Sequence, residues 1–137
     1  MSFSEFTQKD YEVIARNYAE LKEAARKRCS GEQELAVVQK AFDFANEAHK
    51  NVRRRSGEPY ILHPIAVAKI VVNDIGLGYK SIAAALLHDV VEDTDYTVDD
   101  IRNLFGDKIA SLVDGLTKIK NVLDNQDKKN KDNGYTE

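Results

Sequence analysis

Ile82-Ala83-Ala84-Ala85-Leu86-Leu87-His88-Asp89-Val90-Val91-Glu92-Asp93 runs six apolar residues straight into one imidazole and three carboxylates. A stretch that is apolar nearly all round predicts the most buried helix of a domain. Charges at the end of such a helix are costly unless paired or bound to a metal. If the helix continues through the cluster, His88 and Glu92 stand at i, i+4, as do Asp89 and Asp93, and Asp89 meets Glu92 at i, i+3. Imidazole and carboxylate are the ligand types that suit Mn²⁺, Zn²⁺ or Fe²⁺. The plainer reading is a helix end whose polar residues mark the exit from the core. A second candidate ligand tips the balance toward a site: His63, in Pro59-Tyr60-Ile61-Leu62-His63-Pro64. Pro64 suits the first position of a helix and biases its predecessor to an extended backbone, so His63 is expected at the N-cap.

Composition bounds the rest. A chain of 137 residues is one domain, with 42% apolar and 31% charged residues in the range of soluble globular proteins. The net charge of -3 argues against a general nucleic-acid binder. Cys29 is the single cysteine, so no intrachain disulfide is possible and a reducing compartment is expected. No apolar run approaches the ~18 residues of a membrane span, and the N-terminus lacks a signal peptide's basic and apolar regions. The expectation is a cytoplasmic protein.

Along the chain, Tyr11, Ile14, Ala15, Tyr18, Leu21 and Ala25 form one apolar stripe, predicting a packing helix over about 10–29 that Ser30-Gly31 ends. A second helix is expected over about 31–52. It places His49 on the apolar face, as a hydrogen-bonded, partly buried histidine or, more sharply, as a supporting group near the site. Lys50 to Ser56 carries four cations. Such a run is usually a solvated surface, yet it precedes His63 closely enough to reach the same pocket, and arginine matches phosphate and stacks on bases. Further helices are expected over about 65–73, from an N-cap at Ser81 through Val91, over about 98–105 behind a capping box at Thr97 and Asp100, and over about 108–122. Lys118 reads equally as a phosphate contact or as an ordinary surface lysine. Residues 124–137 hold almost nothing apolar and are expected to be a flexible tail. The expected organisation is a flanking helix in 1–30, a core in 31–123 and that tail.

The segment Arg54-Arg55-Ser56-Gly57-Glu58-Pro59-Tyr60-Ile61-Leu62-His63-Pro64, then His88 to Asp93, then Asp114-Gly115-Leu116-Thr117-Lys118 resembles the hydrolase domain of the RelA/SpoT alarmone enzymes. These are HD-type metal-dependent phosphohydrolases. The likeness covers roughly residues 33 to 122. It implies an all-α HD-domain bundle of about six helices and removal of pyrophosphate from the 3′ position of (p)ppGpp, the degradation of the stringent-response alarmone. It further implies a divalent metal, Mn²⁺, on His63, His88 and Asp89, with Glu92 and Asp93 as the catalytic acids that orient water or accept its proton. Arg54, Arg55, Ser56 and Lys118 would then bind the guanine nucleotide. Arg55 stands where the family usually has lysine. A further aspartate ligand, which the family draws from a motif like Ala-Asp-Arg-Leu-His-Asn-Met-Arg, does not occur here. The expectation is therefore a truncated piece of a longer protein that lacks the C-terminal part of the family domain, with the parent's remaining domains as partners, weakened metal affinity, and weak or absent hydrolysis by this chain alone. Two alternatives stay open: an HD phosphohydrolase of another phosphorylated nucleotide, and a non-catalytic nucleotide-sensing module of a larger regulatory protein.

Overall fold

The computed structural model describes residues 2–132, with side chains over 2–119. Within them lie six α-helices: α1 (Gln8–Arg26), α2 (Glu32–Ala48), α3 (Leu62–Ile70), α4 (Tyr79–Asp93), α5 (Val98–Phe105) and α6 (Asp107–Asp132). The all-α expectation holds. The exception is a two-residue antiparallel ribbon joining β1 (Ser2–Phe3) to β2 (Val52–Arg53).

Helix α4 is the centre. Ile82, Leu86, Leu87 and Val90 are wholly buried, and Ala83, Ala84 and Ala85 between them let neighbouring helices approach closely. It packs on α2, α3 and α6 at once, which is why its sequence is apolar round the whole circumference. Helix α1 covers α2 and α3 from outside. Tyr18 stacks on Phe42 at 3.9 Å between ring centroids, and its hydroxyl donates to Gln39 Oε1 at 3.0 Å. On the α3 side Lys69 Nζ donates to Glu20 at 2.7 Å, which lowers the Glu20 carboxyl pKa.

The turn after α2 fixes the edge of the site. Asn51 takes φ 62°, a left-handed conformation that asparagine tolerates better than most residues. Its carbonyl accepts from Ser4 N and its side-chain oxygen from Phe6 N, both at 2.9 Å, so the N-terminal ribbon is tied down. Arg53 completes the tie by donating to the Ser4 and Glu5 carbonyls and to Asp10 at 2.7 Å. That bond, followed by the Thr7 backbone bond, holds the Asp10 carboxyl down to about 2. One of the three adjacent arginines is thus structural.

Several boundaries differ from expectation. Helix α2 stops at Ala48 with His49 as C-cap, not at 52. Helix α3 starts at Leu62, so His63 lies inside its first turn rather than at the N-cap. Proline is tolerated anywhere in a first turn, because those N–H groups have no helical partner. Helix α4 is capped by Gly78, and Ser81 lies inside it. Beyond Ile70 the chain makes a π-helical turn (Val71–Ile75) that ends at Gly76 with φ 77°. The Arg28 guanidinium lies 3.3 Å from where a Gly76 Cβ would stand, so no larger residue fits without strain. The capping box at Thr97 and Asp100 forms as expected, with bonds of 2.9 and 3.2 Å. Helix α6 runs to Asp132, ten residues past the expected end. Neither proline nor glycine interrupts residues 116–132, and extending a helix is far cheaper than nucleating one. The rest of the expected tail, 133–137, lies outside the described residues.

Candidate metal and catalytic site

The last two turns of α4 and the first turn of α3 meet at one buried carboxylate. Asp89 is fully buried, with His88 Nε2 at 3.3 Å from its Oδ1 and His63 Nε2 at 3.8 Å from its Oδ2. The three residues expected from sequence to share a ligand therefore converge, from two helices. His88 Nδ1 lies 2.8 Å from the Ala85 carbonyl. A carbonyl can only accept, so Nδ1 carries a hydrogen and Nε2 is the ring atom turned toward Asp89. That is the orientation a metal-binding imidazole needs.

Two ligands each ~2.1 Å from one ion stand roughly 3 to 3.5 Å apart. The His88 separation lies in that range and the His63 separation just outside it. Among the described residues no group of three or more His, Cys, Asp or Glu stands, as placed, where it could hold a metal ion. His63, with 35% of its side chain exposed, is the member with room to move, whereas His88 keeps 12%. The donor set of two imidazoles and one carboxylate fits a borderline divalent ion, for which the His63 ring would have to move toward Asp89.

The neighbouring groups extend the cluster. The Tyr60 phenol pKa is pushed up strongly, first by burial, then by the charges of Asp89 and Asp93 and a hydrogen bond to Asp89. Its ring lies 4.9 Å from that of His49 and 5.8 Å from that of His63. His49 is 1% exposed, and its Nε2 lies 3.3 Å from Asp93 Oδ2. Asp93 keeps 19% of its side chain exposed, at the last position of α4, and Glu92 precedes it, partly buried. Sequence reasoning left Tyr60 without a role. Its place three residues before His63, ahead of a helix start, was the available signal.

Two cavities open here. One of about 440 Å³ is walled by His63 and His88 together with apolar Val67, Val71, Ala84 and Leu112. The other, about 310 Å³, is lined by His49, Asp93, Thr94 and Asp95. The expected nucleotide-binding residues lie at the surface. Arg54 stands 3.9 Å from Glu58, and the Ser56 hydroxyl donates to both Glu58 oxygens at 2.7 Å. Arg55 is exposed, and Lys118 pairs with Asp114 at 3.0 Å one turn away on α6. Of these, Arg54 reaches the cluster electrostatically, since its charge partly offsets the upward shift at Tyr60.

Comparison with known proteins bears on this arrangement. A family model described as an HD domain matches residues 41–137. A guanosine-3′,5′-bis(diphosphate) 3′-pyrophosphohydrolase of Aquifex aeolicus is 44% identical over 90 residues, 66% of this chain and 13% of that protein. The bifunctional (p)ppGpp synthase/hydrolase SpoT of Escherichia coli is 46% identical over 88 residues, 64% of this chain and 12% of that protein. A GTP pyrophosphokinase of Streptomyces coelicolor is 43% identical over 88 residues, 64% of this chain and 10% of that protein. The chain thus spans about a tenth of the length of these relatives.

Proposed function

The chain belongs to the HD-domain family, and from that premise we propose that it hydrolyses (p)ppGpp, adding water across the 3′ phosphoester bond to release pyrophosphate and leave GDP or GTP. The observation that carries this reading is the convergence of two imidazole Nε2 atoms from different helices on the buried Asp89 carboxylate. Relatives at 44–46% identity carry names for this hydrolysis.

A divalent cation held by His63, His88 and Asp89, with Mn²⁺ as the proposed metal, would supply Lewis acidity toward a phosphoryl oxygen and toward water. The chain's own residues do the rest. Glu92 and Asp93, on the last turn of α4, orient the attacking water and accept its proton. Arg54 and Arg55, exposed on the segment before His63, meet the negative charge of the diphosphates. Ser56 and Lys118 complete the nucleotide contacts. A bound phosphate would compete with Glu58 for Arg54 and with Asp114 for Lys118, both of which are exposed pairs and weakly held. The remaining domains of a longer protein are proposed as covalent partners, and the compartment as the cytoplasm. No helix among the described residues is long and apolar enough to cross a membrane.

Incubating the purified chain with ppGpp and MnCl₂ and resolving products by anion exchange tests the reading. GDP and pyrophosphate should appear in equal amounts, and Glu92→Gln or Asp93→Asn should stop their formation while metal binding persists. Nucleotide binding with neither metal dependence nor turnover would replace it with the sensing-module reading.

A further inference from the structure

We propose that His49 is a positioning residue for Asp93, an inference that rests on the hydrolase reading above. The histidine caps α2, is 1% exposed, and has both ring nitrogens committed. Nδ1 lies 3.2 Å from the Ala45 carbonyl, and Nε2 lies 3.3 Å from Asp93 Oδ2. The carbonyl accepts only, so Nδ1 carries its hydrogen. Nε2 is then the ring atom left to face Asp93 Oδ2, across a partly buried contact of 3.3 Å.

Asp93 needs such a partner. It is the last residue of α4, and Thr94 after it is already extended at φ -131°. A carboxylate at a helix end samples several rotamers, and each one not aimed at the substrate costs turnover. Contact with a ring fixed by α2 removes that freedom from outside α4. The Tyr60 ring, 4.9 Å from His49 and tilted by 33°, closes the other side. With Oδ2 held by His49, Oδ1 is the oxygen available to take a proton from water. The two groups also line the same 310 Å³ cavity, so the pair faces space rather than packed core. A histidine serving only to cap α2 would need its Nδ1 bond alone.

Two near-isosteric substitutions separate the two nitrogens. His49→Asn keeps a donor near the Nδ1 position, and His49→Gln places one near Nε2. With ppGpp and Mn²⁺, H49N should lower kcat roughly 10- to 100-fold, the range typical when an outer partner of a site group is removed. Its KM should stay within about threefold, and H49Q should recover most of the loss. Equal kcat for wild type and H49N per folded molecule, or an H49Q as impaired as H49N, would overturn the proposal. If the wild-type chain releases no pyrophosphate, the hydrolase reading fails and this inference with it. If wild type is active and H49N matches it, only this inference fails. Should the variants not fold, long-range ¹H–¹⁵N spectra of wild type and Asp93→Asn read the contact directly. The His49 Nε2 resonance should move while Nδ1 stays, and an unmoved Nε2 would overturn the contact.

Discussion

Replacing Asp89 by asparagine keeps the side chain's shape and removes its charge, which separates a ligand from a structural acid. Asp89 is wholly buried, and its imidazole neighbours stand at 3.3 and 3.8 Å, beyond the ~2.7–2.9 Å of charge-assisted hydrogen bonds. Burying an ionised carboxylate costs several kcal/mol, which contacts of that length and the Tyr60 hydrogen bond offset only in part, and asparagine keeps an acceptor for that hydroxyl. In metal-free protein, Asp89→Asn should therefore lie within ~1 kcal/mol of wild type. For a chain of 137 residues, ~1 kcal/mol moves Tm by about 3–4 °C. Metal at a hundred times its Kd stabilises the wild type by ~2.7 kcal/mol, or roughly 9 °C. The asparagine variant should gain less than about a third of that. Scanning calorimetry on EDTA-dialysed protein, with and without MnCl₂, reads both quantities. Equal metal-induced shifts in the two proteins would refute the ligand assignment. A metal-free loss above ~3 kcal/mol would instead make Asp89 half of a structural ion pair.

Two more predictions follow from the scaffold. Asp10, held down to about 2 mainly by Arg53, contributes stability that is complete above the ordinary carboxylate range near pH 4 and is lost as pH falls toward 2; Tm between pH 4 and 2 should fall more steeply for wild type than for Asp10→Asn, and parallel curves would contradict the pairing. Leu86→Ala, which empties a wholly buried position on α4, should destabilise by about 2–5 kcal/mol in urea unfolding; a loss below ~1 kcal/mol would mean that α4 is not the packed centre.

What could be seen in the sequence depended on how local the deciding forces are. Helix α5 was fully legible, Val98 to Phe105, because a capping box opens it and Gly106 closes it, both within one turn of the ends. Helix α4 was legible because burial on every side leaves an apolar run with no polar stripe. The left-handed Asn51 turn was not, since it is stabilised by Ser4 and Phe6, more than forty residues away in sequence. The His49 contact with Asp93 spans 44 residues and reads in sequence only as a histidine on an apolar face. The three-residue cluster at Asp89 was legible in its members, because the i, i+1 pair His88-Asp89 fixes two of them. Its degree of closure was not, because that depends on how α3 sits against α4.

That dependence assigns unequal parts to the two helices. His88 and Asp89 ride on a helix packed on three sides, and His88 is locked further by its bond to Ala85. Neither can shift without moving the core, whose close packing resists small displacements. His63 stands in the first turn of a nine-residue helix that gives way to a π-helical turn at Val71, a wall of the larger cavity. π-Helical turns interrupt regular backbone bonding and often occur at functional sites. The proposed site thus has a rigid half on α4 and a more exposed third residue, His63, on α3. Under the proposed metal reading, closing onto a cation would be chiefly a movement of His63, so substitutions that loosen α3 should change metal affinity, as should those at the His-Asp pair.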